Sequence, residues 1–221
     1  MMLKLVELAQ KTIAAVLKPG DVAIDATVGN GFDTLFLARS VAPGGFVYGV
    51  DIQAEAIAIT RNKLHEQGME THCQLVVANH ADLDRIIETE HRNRIQAVMF
   101  NLGYLPRGNQ HITTTAQCTL AALASACSRL GPGGRVSVVC YTGHPGGRLE
   151  TEQVNQFAST LPEDFQITVH QPERTIKPAP QLVVIARAGR TPVAPDYFAM
   201  NGLSCFDSDS EKRTQEMFFS R

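Results

Sequence analysis

Apolar positions along the chain alternate between two periods. Leu5, Leu8, Ala9, Thr12, Ile13, Val16 and Leu17 follow helical spacing over residues 3–17, and Pro19-Gly20 stops the run. Residues 22–26 read as a short buried strand, 31–40 as a helix and Pro43-Gly44-Gly45 as a turn. The alternation continues with a strand over 46–50 ending at Asp51, a helix at about 53–67, a strand at about 73–78 and a helix at about 82–90. A fourth strand covers 95–100 and runs into Asn101-Leu102-Gly103-Tyr104. A helix at about 114–129 leads through Gly131-Pro132-Gly133-Gly134 to a fifth strand over 135–141, then to a helix at about 149–160. The last two strands fall near 164–170 and 181–187, with too short a connection for a crossover helix, so they read as an antiparallel pair.

Strands alternating with helices predict an α/β fold: a seven-stranded, mostly parallel sheet with helices on both faces and an antiparallel C-terminal strand. Residues 1–188 form one domain in this reading. Residues 189–221 change character, with Pro192, Pro195 and the polar run Asp207-Ser208-Asp209-Ser210-Glu211, and read as a tail of marginal order.

Composition narrows the function classes. With 44% hydrophobic residues the chain has enough apolar side chains for a core, and no apolar run approaches the length of a membrane span. A net charge of −2 excludes a strongly basic nucleic-acid coat but leaves room for a local basic patch. The start Met1-Met2-Leu3-Lys4 lacks the features of a signal peptide, and five unpaired-looking cysteines fit buried thiols in a reducing compartment. A cytoplasmic location follows as the expectation. None of the cysteine spacings matches a zinc site.

In an open α/β sheet, ligands bind beyond the carboxyl ends of the strands, and those ends here carry polar residues or glycine. The first is Asp25-Ala26-Thr27-Val28-Gly29-Asn30-Gly31. Gly29 and Gly31 allow close backbone approach, and the loop opens a helix whose free N–H groups favour a carboxylate. Asp51 ends the second strand, where a carboxylate can accept both hydroxyls of a ribose. A dinucleotide fingerprint needs a third glycine where this chain has Thr34. S-adenosylmethionine fits better, because Asp25 and Asp33 suit its ammonium group and the Gly29–Gly31 backbone suits the rest. Thr27 and Thr34 belong to the same candidate pocket. Asn79 and His80 end the third strand, where an adenine would lie.

Asn101 ends the fourth strand and offers a carbonyl oxygen to an amine N–H, while the Tyr104 ring can stack on a base. His144, among glycines after the fifth strand, is a candidate substrate contact or proton acceptor. His111 could line a substrate path, and Arg107, Arg148, Arg174 and Lys177 could track phosphates.

Taken in order, Asp25 to Gly31 with Asp33 to Ala38, then Tyr48 to Gln53, Phe100 to Pro106 and Gly143 to Gly147, resemble the rRNA-methylase-like family of class I S-adenosylmethionine-dependent methyltransferases. The resemblance spans about 25–147, and Pro178-Ala179-Pro180-Gln181-Leu182 fits the lead into that family's last strand. It implies methylation of tRNA at wobble position 34, turning 5-aminomethyluridine, or its 2-thio form, into the methylaminomethyl nucleoside. It implies that Asp25, Gly29, Asn30, Gly31, Asp33, Asp51, Gln53, Asn79 and His80 line the donor pocket and that Asn101 and Tyr104 face the amine. Phe32 and Thr142 stand where the family pattern has histidines, and the tail has no counterpart in it. The implied partner is the anticodon region of a tRNA, with no membrane; a homodimer joining two basic patches stays open. Other acceptors remain alternatives, namely rRNA or a small-molecule amine. So do an NAD-dependent oxidoreductase and a non-catalytic RNA-binding module.

Overall fold

The computed structural model describes residues 2–91, 94–105, 112–171 and 179–189. Seven strands form one sheet in the order β3-β2-β1-β4-β5-β7-β6. They are β1 (Val22–Asp25), β2 (Phe46–Asp51), β3 (Cys73–Val77), β4 (Ile95–Asn101), β5 (Leu130–Cys140), β6 (Phe165–His170) and β7 (Gln181–Arg187). Neighbours pair in parallel except around β7, which runs antiparallel to both β5 and β6. The order reverses between β1 and β4, which opens a crevice beyond their carboxyl ends.

The helices are α1 (Met2–Ala14), α2 (Phe32–Val41), α3 (Ala54–Glu66), α4 (Leu83–Ile86), α5 (Ala116–Arg129) and α6 (Gly147–Ser159). Successive residues of a buried strand point to opposite faces, so each strand feeds two cores. Ile24, Tyr48, Val50, Val98, Phe100, Val136 and Val138 pack with Leu83 of α4, Leu123 of α5 and Val154 of α6. Ala23, Val47, Ala97, Met99 and Val139 pack on the other face with Ile13 of α1, Leu37 of α2 and Leu64 of α3. The α1 stripe of Leu5, Ala9 and Ile13 is buried as its spacing predicts.

Two segments differ from the expectation. The helix predicted over 82–90 breaks into a 3-10 turn (His80–Asp82), the four-residue α4 and a second 3-10 turn (Thr89–His91). Tertiary bonds explain the break: the buried Tyr48 hydroxyl accepts from the Glu88 N–H at 3.3 Å and pairs with His91 Nδ1 at 2.7 Å. Such bonds outweigh the few tenths of a kcal/mol per residue by which propensity favours a continued helix. The second difference is β5, which begins at Leu130 rather than 135 and carries Gly131 to Gly134 inside the strand as a register shift against Ile95 and Ala97. A Cβ at Gly134 would lie 2.9 Å from the Leu130 side chain and 3.0 Å from the Gln96 carbonyl, so glycine lets the two strands stay paired there.

Candidate functional site

The loop after β1 is built on two left-handed glycines, Gly29 (φ 51°) and Gly31 (φ 74°). A Cβ on Gly31 would fall 2.4 Å from Thr60 Oγ1 of α3, so only glycine lets α2 start this close to α3. Asp25 is buried, with one oxygen accepting from the Thr34 hydroxyl at 2.6 Å and the other from the Thr27 N–H at 3.2 Å. Burial, then the neighbouring Asp33, pushes its carboxyl up to about 7, despite the opposing bonds from Thr34 and Thr27. Asp33 accepts from Gln10 Nε2 at 2.7 Å, and burial raises its carboxyl as well. Two acids thus share a partly desolvated corner that a cation would relieve.

Asp51 is fixed from both sides, with Oδ2 accepting from the Gly29 N–H and Oδ1 from the Gln53 N–H, each at 2.9 Å. Each oxygen keeps a lone pair for a further donor. Lys63 donates to the Asn30 carbonyl and lies 3.5 Å from the centroid of the exposed Phe32 ring. Asn79 does not present a free side chain: its Oδ1 accepts from the Ala81 N–H at 2.9 Å and its Nδ2 donates to Cys118 Sγ at 3.3 Å. It shapes the turn that carries His80. His80 is buried and packs edge-on against Phe100, with its pKa lowered chiefly by burial.

Thr27 joins this loop to the turn after β4, because its hydroxyl accepts from the Asn101 N–H at 2.7 Å. Asn101 Oδ1 is buried with no partner. Gly103 lies against His144, whose Nε2 would stand in ordinary contact, 3.6 Å, from a Cβ there, so it is the backbone at φ 132° and not lack of space that calls for glycine. His144 is 9% exposed, packs edge-on against Tyr104 at 6.3 Å and bonds the Pro145 carbonyl through Nδ1 at 3.1 Å. That bond places the ring proton on Nδ1 and leaves Nε2, which has no partner, as an acceptor. A Cβ on Gly147 would lie 2.8 Å from the same Nε2, so glycine at that position admits the ring.

Buried polar atoms without partners are normally few. Among the described residues there are six such side-chain atoms: Gln74 Oε1 and Ser137 Oγ lie within β3 and β5, whereas His80 Nε2, Asn101 Oδ1, Thr142 Oγ1 and His144 Nε2 fall at or just beyond the carboxyl ends of β3, β4 and β5. Four of the six on one edge make that edge the candidate site for a polar ligand.

The residues predicted from sequence therefore gather at one sheet edge, apart from His111, Arg107, Arg174 and Lys177, which lie outside the described residues, as does the tail from 190. Arg148 is exposed in the first turn of α6. Three residues were missed. Gln10 of α1 braces Asp33. Thr114 and Glu150 brace Gly103, with Thr114 accepting from its N–H at 3.0 Å and donating to Glu150 Oε2 at 2.8 Å. Glu150 was detectable, since it sits one turn before Val154 and two before Ala158 on the buried stripe of α6. No cluster able to hold a metal occurs among the described residues, and no helix of theirs is long and apolar enough to cross a membrane. The thiols of Cys73, Cys127 and Cys140 are pushed up to about 12, mainly by burial, in keeping with inert structural cysteines.

A family model described as "Putative rRNA methylase" matches residues 47–186. The chain is 43% identical over 167 residues to the Arabidopsis thaliana protein named tRNA (mnm(5)s(2)U34)-methyltransferase, chloroplastic. That match covers 72% of this chain and 60% of the relative, so the chain spans less than two thirds of its length. A "putative rRNA-methylase" from Clostridium thermocellum shares the fold with a TM-score of 0.78 at 36% identity, over 83% of this chain and 97% of that one. A "putative methyltransferase" from Streptococcus mutans, in complex with SAH, gives 0.74 at 33% identity over the same shares. The matched stretch runs from β2 into β7 and carries the Asp51, Asn101 and His144 strand ends. By that match this chain belongs to the rRNA_methylase family, on the Rossmann-like fold of class I methyltransferases.

Proposed function

We propose that the protein uses S-adenosylmethionine to methylate the aminomethyl nitrogen of 5-aminomethyl(-2-thio)uridine at tRNA wobble position 34. The observation that carries this reading is the unpartnered Oδ1 of Asn101, a residue whose backbone N–H is bonded to Thr27 in the loop that follows Asp25. An acceptor oxygen at that point suits a primary amine, which brings N–H donors. The name of the Arabidopsis relative supports the same nucleoside.

The residues present fit the donor. Asp25 and Asp33 meet its ammonium group, Asp51 keeps lone pairs for the ribose hydroxyls, and His80 flanks the adenine side. When bound, the donor supplies a methyl group on a sulfonium, open to in-line displacement. Asn101 accepts one N–H of the neutral amine and so turns its lone pair toward the methyl. Transfer would exchange the donor's S–C bond for a new N–C bond and would leave the amine nitrogen with one proton too many. In this reading the unpartnered His144 Nε2 accepts that proton, and Tyr104, 43% exposed, offers a ring face to the uridine. Arg148 contributes a phosphate contact on the same edge.

Nucleoside mass spectrometry tests the reading. The protein is incubated with S-adenosylmethionine and tRNA whose wobble uridine stops at the aminomethyl stage. One methyl gained on that nucleoside is the expected result. Asn101→Ala should lower the rate by about 10- to 100-fold, with S-adenosylhomocysteine bound nearly as before. No methyl on the tRNA with S-adenosylhomocysteine still bound would move the acceptor to rRNA or a small amine.

A further inference from the structure

Glu150 is only 2% exposed, although its neighbours on the same stripe of α6 are the apolar Val154 and Ala158. A stripe that needed packing alone would be served by a leucine, because burying an acid carries a desolvation cost. Both carboxyl oxygens are used: Oε1 accepts from the Thr119 hydroxyl of α5 at 2.6 Å, and Oε2 from the Thr114 hydroxyl at 2.8 Å. The Thr114 proton is thereby committed to Glu150, which leaves the hydroxyl lone pair for the Gly103 N–H at 3.0 Å. The Thr114 N–H closes a second bond to the Gly103 carbonyl at 2.9 Å, and Thr113 bridges Tyr104. Gly103 sits at φ 132°, one of the several backbone states open to a glycine, so these bonds select it.

We propose that Glu150, acting through the Thr114 hydroxyl, is a positioning residue that fixes the Asn101–Tyr104 turn in the conformation methyl transfer requires. The assignment rests on the reading of that turn as the acceptor site. The polarity of the chain is what matters: only an acceptor at Glu150 orients the Thr114 hydroxyl to receive the Gly103 N–H.

Two isosteric variants separate positioning from stability. Thr114→Val cuts the link to Gly103, whereas Thr119→Val removes the other hydroxyl on Glu150 and leaves that link whole. Single-turnover methylation of the aminomethyl-stage tRNA should fall about tenfold or more in Thr114→Val, with KM little changed, and stay near wild type in Thr119→Val. Glu150→Gln keeps one acceptor oxygen and should fall between them. S-adenosylhomocysteine should bind all three variants within about twofold of wild type, since no donor contact is touched. Hydrogen exchange of the peptide spanning 101–105 should speed up in Thr114→Val and not in Thr119→Val. Equal rates and equal exchange in the two threonine variants would overturn the proposal. If the wild type methylates no such tRNA, the acceptor reading falls, while the exchange contrast still decides whether Glu150 and Thr114 set the turn.

Discussion

Asp25 places a carboxyl group at 1% exposure beside two other acids, and its pKa of about 7 follows from burial first and Asp33 second. Its ordinary value is 3.8, so between about pH 4 and 7 the folded chain holds a proton that the unfolded chain has lost. The stability contributed by this group is therefore full below about 4 and is lost as the pH rises through 7. A bound ammonium favours the ionised form and shifts the balance the other way. S-adenosylhomocysteine should accordingly bind more weakly as the pH falls below 7, by up to about tenfold per pH unit, and should release a proton on binding there. Calorimetric titration between pH 5.5 and 8 in buffers of different ionisation enthalpy measures both quantities. Asp25→Asn should bind weakly with most of the pH dependence gone. A flat affinity across that range for the wild type would remove Asp25 from the ammonium site.

Single elements depend on a few positions where backbone and neighbour agree. Gly31 is one, being left-handed at the start of α2 with Thr60 of α3 directly over it. Gly31→Ala combines an unfavourable backbone conformation with a clash at 2.4 Å, and should cost about 2 kcal/mol or more. Gly143→Ala meets nothing within 4 Å and should stay within about 0.5 kcal/mol of wild type. Equilibrium unfolding in guanidinium compares the two, and equal losses would mean that Thr60 simply moves aside. The glycine loop was legible in the sequence because its constraint is local: two glycines between a strand-ending acid and an amphipathic helix. The strand ends at Asp51 and Asn101 were legible for the same reason. The Glu150–Thr114–Gly103 chain was not, since it joins residues 36 and 11 positions apart that no periodicity connects. The broken helix around α4 and the commitment of Asn79 to Ala81 and Cys118 escaped notice likewise, being settled by partners distant in sequence such as Tyr48 and Cys118.

At the scale of the whole molecule, the cores and the site occupy different regions of one sheet. Leu123 and Leu37 are wholly buried on opposite faces, among side chains of the mid-strand layers, whereas four of the six unpartnered polar atoms among the described residues lie at the carboxyl edge. A net charge of −2 adds no general attraction for an anionic ligand, so affinity for one has to come from local groups. Damage to a core should then lower stability without altering what the site binds. Leu123→Ala and Leu37→Ala should each cost about 2–5 kcal/mol, the range for emptying a buried leucine site. S-adenosylhomocysteine at 100 times its Kd should restore about 2.7 kcal/mol to the wild type and to each variant equally, because the increment depends only on Kd and concentration. Guanidinium unfolding with and without the ligand measures the four quantities needed for each variant's cycle. An increment halved in either variant would mean that packing on that face sets the geometry of the edge. Loss in Leu123→Ala alone would place the coupling in α5, the helix whose Thr119 bonds Glu150 and whose Cys118 bonds Asn79.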